Sequence, residues 1–131
     1  MSFVLDASAT LAFIFPDERD EMAIRLVRRL RESRAVAPLI WRWEVQNAIV
    51  TVERRGRLTP DVATSLLRDV AGVPVDLDAR DGGHVELSRR FALPIYDALY
   101  LDLAFRTHLP LATRDQKLIE AAGRLGVAVL T

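Results

Sequence analysis

Short apolar runs alternate along this chain with longer segments whose apolar residues recur every three or four positions. Ser2-Phe3-Val4-Leu5 is the first run, and it ends at Asp6. So short an apolar run predicts a buried strand with the aspartate at its C-terminal end. Leu11 to Phe15 follows as an apolar helical turn that Ser8 or Thr10 can cap. Pro16-Asp17-Glu18 opens a second helix, because proline suits the first turn and acids suit the positive end of the helix dipole. Met22, Ala23, Leu26, Val27 and Leu30 then share one face, with arginines opposite, over about four turns.

Ala35-Val36-Ala37 predicts a second strand, and a long helical pattern runs from Leu39 to Arg55, where Gly56 ends it. Thr59-Pro60-Asp61 starts another helix, closed by Gly72. Val73-Pro74-Val75 predicts a third strand, and Asp76 and Asp78 lead into a helix around Val85, Leu87 and Phe91. Leu93 to Leu118 reads as a helix with Asp97 in its first turn, a strand at Leu111-Ala112-Thr113, and a helix begun just after Asp115. Gly126 ends that helix, and Val127 to Leu130 is the last strand. Strand–helix alternation with short apolar strands predicts an α/β fold, a mainly parallel central sheet of four to five strands with helices on both faces. At 131 residues, half of them hydrophobic, one domain spanning 1–131 is expected.

Composition narrows the chemistry. Without cysteine there is no disulfide, zinc-thiolate site or thiol nucleophile. The apolar stretch up to Phe15 is broken by Asp6, ended by Pro16 and preceded by nothing basic, so no membrane span or leader is expected, and a soluble, cytoplasmic protein follows. Eighteen basic residues balance eighteen acidic ones, which argues against a protein held to nucleic acid by bulk charge. The basic side is nearly all arginine, clustered at Arg25 to Arg34, Arg54 to Arg57 and Arg89-Arg90, with Lys117 the only lysine. Such clusters are solvated helix faces, unless one or two flank an acidic crevice and hold a phosphate backbone.

Four acids stand out by context. Asp6 ends the first strand, Glu44 lies near the start of the helix after the second, Asp97 opens a helix, and Asp115 follows a late strand. Asp6, Glu44 and Asp97 sit among apolar neighbours, where an ionised carboxylate is costly to bury without compensation. In an α/β sheet, strand ends and the first turns of neighbouring helices open into one crevice. Four carboxylates gathered there repel one another and raise one another's pKa, and a divalent cation relieves that. All-oxygen ligands select Mg²⁺, with Mn²⁺ as a substitute, and a water on such an ion is a nucleophile for phosphodiester hydrolysis. Helix capping is the bland alternative for Asp97 and Asp115, and Glu44 is the least cap-like of the four.

Four motifs, in order and over essentially the whole chain, carry a resemblance. They are Val4-Leu5-Asp6-Ala7-Ser8-Ala9, Trp41 to Ala48 around Glu44, Ile95-Tyr96-Asp97-Ala98-Leu99-Tyr100-Leu101, and Leu111 to Leu118 around Asp115. The chain resembles PIN-domain ribonucleases of the VapC toxin kind. The resemblance implies a PIN-like three-layer sandwich and a metal-dependent endoribonuclease, with Asp6, Glu44, Asp97 and Asp115 as catalytic and metal-binding acids, Asp6 and Asp97 foremost. It implies products with 5′-phosphate and 3′-hydroxyl ends. Ser8, Asn47 and Thr113 match the polar positions that orient the acids, and Arg114 is a candidate phosphate contact. A fifth acid sometimes follows the last aspartate in this family, but here the residues after Asp115 are Gln116, Lys117, Leu118, Ile119 and Glu120. The resemblance also implies a cognate antitoxin in a groove of the early helices, and a homodimer.

Other residues are weighed against plainer roles. Asp102 is five positions after Asp97, rotated about 140° from it on a helix, and reads as a surface or partner-facing acid. His84 and His108 share no context, which disfavours cleavage through the 2′-hydroxyl and two histidines. One of Trp41 and Trp43, about 200° apart on a helix, belongs to the core; base stacking by the other is the minority reading. Tyr96 and Tyr100 read as packing or interface. A receiver or aspartyl phosphatase is disfavoured, because Asp6-Ala7-Ser8 lacks the paired acids those chemistries need. The remaining alternative is a non-catalytic PIN-like module that binds RNA or protein, which the presence of all four acids opposes.

Overall fold

A computed structural model describes residues 2–80 and 82–130. Its strands are β1 (Val4–Leu5), β2 (Ala35–Pro38), β3 (Val75–Asp78) and β4 (Leu111–Ala112), all parallel in the order β3-β2-β1-β4. The helices are α1 (Ala7–Ile14), α2 (Glu21–Glu32), α3 (Ile40–Arg54), α4 (Pro60–Ala71), α5 (His84–Phe91), α6 (Ile95–Thr107) and α7 (Gln116–Leu125). Parallel strands need crossover connections, and helices supply them on both faces of the sheet. One group gathers around α1, which packs against α2, α3 and α4; the other around α6, which packs on β1, β2 and β4 and against α5 and α7.

The strand order fixes where a site can form. From β1 the chain moves outward through β2 to β3, then returns past β1 to place β4 on its other side. The order therefore reverses between β1 and β4, and in open α/β sheets the crevice beyond the strand C-termini at such a reversal is where ligands bind. Asp6 immediately follows β1, and Thr113 immediately follows β4. The two ends are stitched together: the Asp6 N–H donates to the Ala112 carbonyl at 3.0 Å.

The α/β architecture and its four parallel strands match expectation, while several boundaries move. The first helix starts at Ala7, with Ser8 and Thr10 inside it; Thr10 Oγ1 donates back to the Asp6 carbonyl at 3.0 Å and accepts from Trp41 Nε1 at 2.9 Å. Pro16–Glu18 is an isolated 3₁₀ turn, and α2 begins later, capped by the Asp20 side chain at Ala23 N. The third strand is Val75–Asp78, so Asp76 and Asp78 belong to it. Their alternation with Val75 and Leu77 suits an edge strand with β2 as its one partner. At the C-terminus, the expected last strand reduces to a single bridge between Leu111 and Val129. Thr59 and Gly72 do delimit α4 as the sequence requires.

Asp102 is the clearest correction. It is 5 % exposed, not on the surface, because α6 is covered on almost every side by the sheet, α5 and α7. Burial is tolerated through Arg106 Nε at 3.0 Å and the Gly83 N–H at 2.9 Å. Arg106 also reaches Asp78 at 3.4 Å, and Arg80 holds the same Asp78 at 2.8 Å, so Asp78, Arg80 and Gly83 are tied to α6. The Arg80 hydrogen bond is the main reason the Asp78 carboxyl falls to about 2. A Cβ on Gly82 would run into the Asp102 carboxylate and force it to shift. Asp102→Ala is expected to lower the unfolding free energy by about 2–3 kcal/mol, because it removes the acceptor of both Arg106 Nε and the Gly83 N–H and leaves a small cavity. Urea denaturation measures this, and a neutral result would refute the structural role.

Candidate active site

Asp6 is the deepest of the four acids, 5 % exposed, at the position before the first residue of α1. It does not cap that helix with its side chain. Its Oδ2 instead accepts from Ser8 Oγ and Thr113 Oγ1, both at 2.6 Å. Burial raises its pKa, and these two hydroxyls oppose the rise by stabilising the anion. The same hydroxyls set the loop after β4: Ser8 Oγ accepts from Arg114 N at 3.0 Å, and Thr113 Oγ1 accepts from Asp115 N at 3.1 Å. Ser8 and Thr113 thus orient two acids from opposite ends of the chain.

Asp115 caps α7, with Oδ1 accepting from Leu118 N at 3.1 Å. The bland reading of Asp115 is correct as far as it goes, and it leaves Oδ2 for another role. Asp97 is the third residue of α6 and caps nothing. Burial, then the charges of Asp115 and Asp6, push its pKa up to about 6. Glu44 lies in the second turn of α3; burial raises its pKa, with Asp6 and Asp97 adding to the rise. Against that rise, Tyr100 OH donates to Glu44 Oε1 at 2.6 Å.

All four predicted acids therefore act on one another's charge across β1, α3, α6 and the β4–α7 loop. Among the described residues, every ion pair lies elsewhere, so no cation neutralises them. Nor do three of them, or any other described Asp, Glu or His trio, form a ready-made metal cage. What fits a divalent ion is the donor set: among the described residues, no side chain or helix cap donates to Asp6 Oδ1, Glu44 Oε2, Asp115 Oδ2 or either oxygen of Asp97. They are hard oxygens in a region whose own charge is uncompensated.

The flanking predictions divide. Asn47 is exposed on α3, three residues beyond Glu44. The Arg114 side chain pairs with Asp20, the cap of α2. Trp41 is core and Trp43 is 55 % exposed beside Glu44. His84 begins α5 and His108 ends α6 in a left-handed conformation, so they stand on separate termini. Tyr100, read from the sequence as packing, is both fully buried and a direct partner of Glu44. Its position three residues after Asp97 puts it on the same helix face, and that spacing was the signal.

The repulsion carries a pH signature. Asp97 titrates near 6 here against 3.8 for an ordinary aspartate, so the fold binds its proton more tightly than the unfolded chain does. Its stabilising contribution is whole below 3.8 and is lost as pH rises through about 6. In metal-free, low-salt buffer, Asp97→Asn is expected to melt at a higher temperature than wild type at pH 7.5, with the gap closing near pH 4. A variant that melts lower at pH 7.5 would contradict the uncompensated charge.

Comparison with known proteins places the chain in a family. The PIN domain family model matches residues 3–124. Ribonuclease VapC3 of Pyrobaculum aerophilum is 31 % identical over 125 residues, covering 92 % of this chain and 94 % of that protein. Ribonuclease VapC3 of Mycobacterium tuberculosis is 34 % identical over 122 residues, covering 90 % and 85 %. The crystal structure of PAE2754 from Pyrobaculum aerophilum superposes with a TM-score of 0.72 at 22 % identity, over 92 % of this chain and 84 % of that one. Over nine-tenths of its length this chain follows the pattern of VapC ribonucleases, and it belongs to the PIN-domain family.

Proposed function

We propose that this protein is a metal-dependent endoribonuclease, the toxin of a VapBC-like toxin–antitoxin pair. The observation that carries the reading is the meeting of four uncompensated acids at the β1/β4 reversal of a PIN chain. Asp6, Asp97 and Asp115 would hold Mg²⁺, or Mn²⁺ in its place, with Glu44 ligating directly or through water. The ion, when bound, supplies a water nucleophile at neutral pH and offsets phosphate charge. The side chains do the rest. Ser8 and Thr113 fix Asp6, so that it presents one oxygen to the crevice. Tyr100 fixes Glu44 Oε1 and leaves Oε2 to order the water and accept a proton. Arg114 can contact a phosphate after leaving Asp20, and a solvent-exposed pair of that kind is easily exchanged. The products carry 5′-phosphate and 3′-hydroxyl ends.

The partner expectations have supports of their own. A groove of about 510 Å³ is lined by Phe13 and Ile14 of α1 and Val27 and Leu30 of α2, with Arg19, Arg31 and Arg68 also facing it. Its chemistry suits an amphipathic antitoxin segment with acidic residues beside an apolar stripe. Leu39, just before α3, and Trp43 and Val50 on it leave apolar side chains exposed, which a second copy of the chain would cover. Among the described residues no helix is long and apolar enough to cross a membrane.

The direct test is cleavage of an RNA panel by antitoxin-free protein with Mg²⁺, Mn²⁺ or EDTA. EDTA is expected to abolish cleavage, and Asp97→Asn or Asp6→Asn to slow it by at least about a hundredfold, an effect in the range of lost electrostatic machinery. Cleavage that survives EDTA or either substitution would sink the metal reading, and no cleavage of any RNA would return the protein to a binding module. Tyr100→Phe gives a subtler check. Losing that donor raises the Glu44 pKa further, so the acidic limb of the rate–pH profile should move to higher pH. An unmoved limb would remove Glu44 from the proton chemistry.

A further inference from the structure

Lys117 breaks a local rule. It is the second residue of α7, at the positive end of the helix dipole, where a cation is disfavoured. It is exposed, and among the described residues it pairs with no carboxylate, although Glu120 stands three positions on. Helix stability therefore does not explain the only lysine in the chain. Its surroundings offer a reason. Lys117, Glu120 and Arg124 line a shallow depression of about 200 Å³ together with Phe91, at the end of α5. The guanidinium groups of Arg90 and Arg124 both approach the Phe91 ring, at 4.9 and 5.2 Å from its centre. Cation–ring contact leaves their N–H edges available for anions. The dipole accounts for Arg89, Arg90 and Arg124, which lie in last turns. It does not account for two guanidinia converging on one ring with Lys117 beside them. On α5 and α7 together, four cations (Arg89, Arg90, Lys117, Arg124) face two acids (Glu86, Glu120).

The acidic crevice sharpens the point. Four carboxylates repel a polyanionic strand, so affinity for RNA has to come from cations outside the crevice. Arg114, the nearest in sequence to those acids, must first leave Asp20, and it supplies one contact where holding a strand takes several. Asp115 caps α7, and along that helix Lys117 and Arg124 are separated by a rise of about 10 Å. We propose that the α5–α7 face carrying Arg90, Lys117 and Arg124 is a phosphate-binding track that holds the RNA strand to one side of the acidic crevice. This rests on the ribonuclease reading and extends it to substrate grip. Arg90, Lys117 and Arg124 take the backbone, Phe91 keeps two of them in place, and Glu120 tempers the attraction.

The test is the salt dependence of binding, in EDTA, to a fluorescein-labelled single-stranded RNA of mixed sequence. For each phosphate contact removed, the slope of log affinity against log salt is expected to fall by about 0.7. Lys117→Gln and Arg124→Gln should each show that fall and raise KM for cleavage in Mg²⁺. Glu120→Gln should move both the other way, tightening binding, which a merely structural role would not produce. All three side chains are exposed, and thermal melts confirm that each variant is folded. A wild type that cleaves and binds RNA, with the slope unchanged in Lys117→Gln and Arg124→Gln, overturns the track alone. A wild type that neither binds nor cleaves overturns the ribonuclease reading with it. Variants that lose polyglutamate binding and keep RNA binding also overturn the track, assigning the face to an acidic protein partner.

Discussion

The Asp6 carboxylate, nearly sealed from water at the end of β1, is the constraint on which the rest of the molecule depends. Desolvation works against its charge, and two hydroxyls, from Ser8 and Thr113, work for it. Thr113 is more than a hundred residues away and can reach only because β4 lies beside β1, so the strand order β3-β2-β1-β4 is a condition of the site. The same two hydroxyls position the backbone of Arg114 and Asp115, and through Asp115 the first turn of α7. One buried anion thereby organises the strand reversal, a loop and a helix start. The helices on the far side respect it too, since Thr10 ties the Asp6 carbonyl to the buried Trp41 of α3, and α3 carries Glu44.

α6 does two jobs with two aspartates. Asp97 and Tyr100 serve the crevice from the first turns, Tyr100 by holding Glu44. Asp102 is rotated away and joins a compensated network with Arg106, Gly83 and, through Arg106, Asp78. The contrast between the two acids is electrostatic. The network acid has an arginine against it and donors on its oxygens, while the crevice acid has other carboxylates for company and a pKa raised to about 6. Burial of charge with a partner is structure; gathering of charge without one is stored repulsion, which a ligand can relieve.

Much of this was legible in the sequence because the governing patterns are local. Apolar runs ending in an acid marked β1 and β4 well, and the Thr59 and Gly72 caps bounded α4. Asp6, Glu44 and Asp97 could be picked out because each stands in an apolar context that ordinary surface acids avoid, and Asp115 because it follows a late apolar run. What escaped depends on tertiary packing. Helical rotation correctly removed Asp102 from the crevice, but the covering of α6 by the sheet, α5 and α7 is invisible along the chain. Tyr100 bonds to a residue fifty-six positions away, and only its spacing from Asp97 hinted at the crevice. The β3 error came from reading Asp76 and Asp78 as a helix lead, when alternating polar residues are what an edge strand carries. The pairing of Arg114 with Asp20 joins two surface side chains that no periodicity relates.

Places where local rules are broken carry the functional information here. Asp6 stands at a helix start and does not cap it; Asp97 and Glu44 sit among like charges; Lys117 occupies the wrong end of a dipole. Natural sequences are locally consistent except where function overrides consistency. The exceptions in this chain have opposite signs, with excess negative charge at the strand ends and, two positions beyond Asp115, a cation that pairs with no carboxylate among the described residues. That pairing is what cleavage of a polyanion requires. An acidic crevice alone would repel its substrate, and a basic face alone would hold RNA without cutting it. α7 joins the two features: Asp115 of the crevice caps its first turn, and Lys117 and Arg124 of the proposed track lie along it.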